Sequence, residues 1–315
     1  MAEEQPLGPV AIAEGITFDP ILTALLRYEG VEQDNVPNDA DAVTVRVRAG
    51  AEVKAGIVSV LAEAEGTLAP VDRYNDTLPF NGIEPYPVVA DPENFELNRL
   101  QIAVMKEGTG AILGRQRIVL DDARFVGNVG WRQNEQTFDA IRAQTRAGPV
   151  ALDAIYAISQ RTIFGVDSPN AHFDGDFVFL NAGTNMAGVD VGGFAYLIDY
   201  DTRPVFSSQT YGLRVAGKMS LSGLDLSAEG RFASQSDYGA NPVAYYGRIL
   251  QCQAGREDCG CRRGCRLRGI GKRRGDRRIP DADGHAPRVS GMGGYLPRHT
   301  RERHSRLPWN AIIRF

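Results

Sequence analysis

Period-two alternation, repeated along most of the chain, is the feature that most limits what these 315 residues can become. It is clearest where Val43, Val45 and Val47 alternate with Thr44, Arg46 and Arg48. Such a segment is a half-buried strand with one apolar and one charged face. The pattern returns where Val58, Val60 and Ala62 oppose Ser59, Leu61 and Glu63. It returns again where Leu224, Leu226, Ala228, Gly230 and Phe232 oppose Asp225, Ser227, Glu229 and Arg231. Further strands are expected over 17–28, 98–106, 111–119, 138–146, 150–161, 176–183, 189–200 and 210–218. That gives about eleven or twelve strands, in hairpins.

Their lengths separate two all-β architectures. Strands of ~10–12 residues exceed the ~5–6 usual in soluble sheets, which argues against an antiparallel sandwich. Short turns at 55–56, 107–110, 147–149 and 185–188 alternate with long connections, above all 72–96 and the stretch after 119. A structureless loop of ~20 residues is out of place in a compact soluble domain, whereas outer-membrane barrels carry long loops at one end and short turns at the other. No run of about 18 apolar residues offers a transmembrane helix. The expected fold is therefore all-β, an antiparallel transmembrane β-barrel.

Charge divides the chain. Residues 1–251 hold 19 Lys+Arg against 33 Asp+Glu, and residues 252–315 hold 16 against 6. All four cysteines (Cys252, Cys259, Cys261, Cys265) lie in the basic part. Their C-x6-C-x-C-x3-C spacing lacks the paired knuckles of structural zinc sites. An arginine-rich segment of this kind also invites a nucleic-acid reading, which makes no sense at the end of a barrel. A third reading is translation out of frame, since GC-rich DNA read that way yields Arg, Gly, Pro and Cys. Ordinary codons for residues 291–315 can be chosen so that reading one base later recovers GWADIFLATPANGIRDYHGTLSFG, which ends in an alternating strand.

The densest stretch is 114–144. Gly114-Arg-Gln-Arg-Ile118 leads into a loop holding Asp121, Asp122, Arg124, Asn128, Arg132, Gln133, Asn134, Glu135 and Gln136, with Phe125 and Trp131 between them. So many hydrogen-bonding side chains between two strands point to an ordered element lining something polar. GRQRI and DDARFVGNVGWRQNEQTFDA resemble the signature of the alginate export family. Flanking segments such as DRYNDTLPFNGIEPYPVVADPENFELNRLQ and QSDYGANPVAYY extend the resemblance from about Gly15 to Tyr246. That family comprises outer-membrane β-barrel porins of Gram-negative bacteria. The recovered out-of-frame string also resembles its closing part.

The resemblance implies three segments: 1–16 at the N-terminus, a barrel over 17–250, and an out-of-frame, disordered basic tail over 251–315 that leaves the barrel incomplete. It implies an outer-membrane location, although MAEEQPLGP shows no charged start and no apolar h-region, so the signal peptide is missing from this sequence. The implied function is a channel for an anionic solute or a polyuronate, with outer-membrane lipid and an acidic sugar as partners, and no nucleic acid. The alternative is a structural or surface-interaction barrel without transport.

No catalytic constellation and no cofactor motif emerge; His172 is alone in the body. Asp121 and Asp122 could bind calcium with Asn128 or Glu135, although the plainer reading pairs them with nearby arginines. The solute-contacting candidates are Arg115, Arg117, Asp121, Asp122, Arg124, Arg132, Glu135, Arg142 and Arg161. Arginines inside a pore attract anions and pair bidentately with carboxylates. They also brace a lumen wall by pairing with its acids. Asp121 to Gln136 is expected to fold inward or across the mouth, with Phe125 and Trp131 as apolar anchors.

Overall fold

The computed structural model describes residues 8–79, 85–221, 224–256, 262–270 and 309–314. They form one antiparallel sheet in which each strand pairs with its neighbours in sequence. After the short β1 (Val10–Ala13) come β2 (Ile16–Val31), β3 (Ala40–Ala55), β4 (Val58–Arg73) and β5 (Asn94–Lys106). The middle holds β6 (Thr109–Gln116), β7 (Thr137–Ala147), β8 (Val150–Arg161), β9 (His172–Met186) and β10 (Val189–Tyr200). The last are β11 (Ser208–Leu221), β12 (Leu224–Asp237), β13 (Tyr246–Arg256), β14 (Arg262–Ile270) and β15 (Trp309–Arg314). β15 pairs with β2. Among the described residues no pairing joins β14 to that edge, so the sheet is not closed.

The eleven sequence-derived strands correspond to β2 through β12, most of them longer than the alternation alone marked. β8 and β10 keep the expected bounds, and β6 stops at Gln116 rather than 119. β1 falls inside the segment set apart as 1–16, and β13 runs across residue 250. Of the segment expected to be disordered, 251–256, 262–270 and 309–314 are strand, and the rest lies outside the described residues. Cys252 and Cys265 stand opposite each other across β13 and β14, whereas Cys259 and Cys261 lie outside the described residues.

Two-residue turns join β3 to β4, β5 to β6, β7 to β8 and β9 to β10. In Glu107-Gly108 both φ values are positive (51° and 77°), as they are in Ala187-Gly188 (51° and 84°). That left-handed pair matches the twist of the flanking strands and closes a hairpin tightly. At the other end the connections are long: 74–93, 117–136 and 162–171.

The two faces of the sheet differ as the alternation requires. Val47, Val60, Leu100, Ile102, Leu113, Ile141, Tyr156 and Leu180 are exposed on the convex side. Cross-strand partners share a face, and Val60↔Ile102↔Leu113↔Ile141↔Tyr156 forms one such apolar row across five strands. The inward positions are of two kinds. From β2 to β5 they include Arg27, Arg46, Arg48, Glu63, Glu65 and Thr67, all buried. From β7 to β10 they are Phe138, Ile155, Phe173, Phe177, Phe179, Phe194, Tyr196 and Tyr200, also buried.

Candidate functional site

The connection 117–136 folds into the concave side and touches both kinds of wall. Its first part brings Ile118, Leu120, Phe125 and Val126 onto the inward rings of β7–β10. Phe125 packs against Phe194 at 5.5 Å between centroids and edge-on to Tyr196 at 6.3 Å. Phe194 in turn stacks on Tyr196 and covers Gly212 of β11, where a Cβ would collide with its ring. Each ring buried this way stabilises the loop by about 2 kcal/mol.

The second part is polar and almost wholly buried: Arg132, Gln133, Asn134, Glu135 and Gln136 are each at most 4% exposed. Groups so far from water need partners, and they find them on distant strands. Gln133 donates from Nε2 to the Thr44 carbonyl (2.8 Å) and hydroxyl (2.7 Å) on β3. Thr67 of β4 donates its hydroxyl to Asn134 Oδ1 at 2.8 Å, and Asn134 Nδ2 donates to the Pro92 and Ile163 carbonyls. Arg132 donates to Glu29 at 2.9 Å and lies 3.4 Å from Asp91. Arg27 pairs with the same two acids, and Asp91 also accepts the Gln133 backbone N–H at 3.0 Å.

Glu135 is the hub. Arg117 grips it through two bonds of 2.7 Å, Asn98 donates at 2.6 Å and Asn128 at 2.8 Å, and Arg48 lies 3.4 Å away. Arg48 also pairs with Glu65, whose other oxygen accepts the Glu135 backbone N–H. Burial alone would push the Glu135 carboxyl up, but the Arg48 and Arg117 charges outweigh it and hold the group well below the usual carboxylate range. At the loop's far corner Asp122 pairs with Arg231 of β12 and with Arg124 at 3.3 Å. Burial raises Asp122, and the hydrogen bond and charge of Arg231 bring it below its ordinary value.

The loop therefore spans the interior from β12 to β2 and β3, inward as expected. Several details differ from the sequence reading. Trp131 is not an apolar anchor: it is 48% exposed, with the Arg132 guanidinium 4.2 Å and that of Arg27 5.4 Å from its ring centroid. Arg115 shares a face with exposed Leu113, opposite exposed Leu100, and grips Asp139 bidentately at 2.8 and 3.1 Å. It thus stands on the convex row, away from the loop's network.

The calcium set does not assemble, because Glu135 is committed to Arg117 and Asp122 to Arg231. No His/Cys/Asp/Glu group suited to a metal occurs among the described residues. Arg142 is braced by Asp153 at 2.7 and 2.9 Å. Arg161 has no ion pair among the described residues, its Nε is buried without a partner, and Glu96 is within electrostatic reach.

The network also includes residues the sequence did not flag: Arg27, Glu29, Glu63, Asp91 and Asn98. Asp91 came from the stretch 72–96, expected only as a long connection, yet Val89, Ala90 and Asp91 are fully buried. The loop leaves a cavity of about 630 Å³ open on the turn side, bordered by Asp121, Gln144, Asp153, Asn181, Phe194 and Arg214.

Residues 100–240 match the alginate export family. Both sequence signatures fall inside the match, while the flank before residue 100 lies outside it. No curated protein matches the chain. Among solved structures the fold is shared with OccAB1 of Acinetobacter baumannii, with a TM-score of 0.59 at 12% identity over 76% of this chain and 62% of that one. A BenF-like porin from Pseudomonas fluorescens Pf-5 scores 0.58 at 13% identity over 78% and 65%. OccK2 (OpdF) of Pseudomonas aeruginosa, solved in complex with glucuronate, scores 0.53 at 14% identity over 76% and 60%. The chain spans about three fifths of the length of these porins. It has the fold of an outer-membrane barrel, with a sheet that is not closed among the described residues, and the inward loop lies within the residues that match the alginate export model.

Proposed function

We propose that the chain forms an outer-membrane channel for acidic sugars or similar small anions. The observation that carries this reading is the inward loop, which gathers the guanidinium groups of Arg46, Arg48, Arg117 and Arg132 inside the sheet. Buried guanidinium groups fixed by carboxylates keep their charge and planar donor forks. An acidic solute passing them meets donors already oriented. The glucuronate complex of OccK2 belongs to that protein and lends the solute class plausibility here. Arg115, on the convex row, is the weakest of the proposed contacts, and Arg161, with no ion pair among the described residues, is the strongest outside the loop.

The test is single-channel recording in planar bilayers under a salt gradient, on this chain and on one read in restored frame beyond residue 250. Anion-leaning reversal potentials are expected. Replacing Arg124 and Arg132 by alanine shifts them towards cations, because Asp122, Glu29 and Asp91 each then lose one of their two guanidinium partners. A folded barrel with unchanged selectivity defeats the reading.

A second reading has its own observation. The loop is tied to both walls, and most of the arginines around it are matched by acids, which is how a plug is built. Absence of conductance in a folded barrel would select this structural role.

A further inference from the structure

Every polar side chain from Arg132 to Gln136 is buried, yet the indole just before them is left half in the open. Trp131 offers the largest apolar surface of any side chain, so leaving it exposed next to the dry stretch 132–136 forgoes a sizeable gain. Its neighbours explain why it does not turn inward. The Arg27 and Arg132 guanidiniums lie over its ring, and both are at least 98% buried and shared between Glu29 and Asp91. Cations that cannot leave their acids stand 4.2 and 5.4 Å from the ring centroid, which fixes its orientation. Glu29, which pairs with both arginines, remains partly exposed.

We propose that Trp131 is a stacking platform for one pyranose ring of an acidic oligosaccharide. The C–H face of a pyranose is apolar and slightly positive, which suits the negative face of an indole. Glu29, which stays partly exposed beside these arginines, accepts hydroxyl hydrogens from the sugar, while Arg132, committed to Glu29 and Asp91, orients the ring rather than reaching the sugar. A rigid aromatic surface with a few convergent polar groups is the usual make-up of a small-ligand site. This inference rests on the channel reading for its occupant, but it concerns binding and not permeation.

The experiment is performed on the full chain in detergent micelles. The chain has two tryptophans, so in a W309F background Trp131 is the sole indole reporter. Oligoglucuronate is expected to change its fluorescence saturably, while succinate, which has charge but no ring, leaves it unaltered. By calorimetry Trp131→Ala binds oligoglucuronate about tenfold more weakly, the loss of one stacking contact, and Trp131→Phe recovers part of the affinity. Equal affinity of the alanine and parent chains overturns the proposal, as does the absence of any saturable response to oligoglucuronate. Sugar binding without conductance would instead remove the channel reading and leave the platform standing.

Discussion

Between β2 and β5 the inward positions carry arginine and glutamate, whereas between β7 and β10 they carry phenylalanine and tyrosine. One loop packs against both. Its aromatic end, around Phe125, is held by area removed from water and tolerates some sliding of ring on ring. Its charged end, around Glu135, is held by bonds of fixed direction, and any one missing partner strands the others in a dry place. The first wall sets how firmly the loop sits. The second sets where it sits, since only one register satisfies Gln133, Asn134 and Glu135 together.

Removing a single partner from the charged wall is the most severe way to break this arrangement. Glu135→Ala should cost about 4 kcal/mol, because Arg117 loses both of its bonds, Arg48 keeps only Glu65, and Asn98 and Asn128 lose a shared acceptor. Urea unfolding in micelles would register it, and a loss under 1 kcal/mol would mean that the hub is dispensable. On the aromatic wall, Phe125→Ala should cost about 3 kcal/mol through the cavity it leaves. Proteolysis should then cut near 121–127 before it reaches 132–136. Simultaneous release of both parts would show that the walls are not independent.

Acidification sharpens the same contrast. The folded Glu135 and Asp122 carboxyls sit below their ordinary values, so the stability they add is fully present above the unfolded value of about 4 and disappears as the pH falls towards the folded values. Hydrogen exchange at 132–136 should therefore stay slow at pH 5 and accelerate only below about pH 4, with Phe125 contacts unaffected. Early release at pH 6 would contradict it. The smallest effect is expected at the rim, where Arg73 and Asp41 pair in the open at 3.1 Å. Arg73→Ala should change the unfolding free energy by no more than about 0.5 kcal/mol.

Sequence alone read the strands well because alternation is local: each strand of a half-buried sheet announces its own faces. The loop's inward course was legible too, from the density of its hydrogen-bonding residues. Its partners were not. Arg132 meets Glu29 across 103 positions and Gln133 meets Thr44 across 89, and no spacing rule links residues so far apart. Asp91 looked like one more acid in a proline-rich loop. Arg115 was read as a solute contact because guanidinium groups suit anions, although its place opposite Leu100 puts it with the apolar row. Trp131 was read as an anchor because large apolar residues are usually buried, and a guanidinium stack was the exception that sequence could not foresee.

The connection that crosses the interior also dictates an order of assembly. Glu135 and its neighbours are reached only from the concave side, so they must dock on β3 and β4 while the sheet is still open enough to admit them. Contacts between residues about a hundred positions apart form slowly, and a wall that curls early would shut the loop out. The gathering of Gln133 onto Thr44 is thus a checkpoint in the barrel's history, passed before the wall rolls round it, and a chain that missed it would have to unroll to try again.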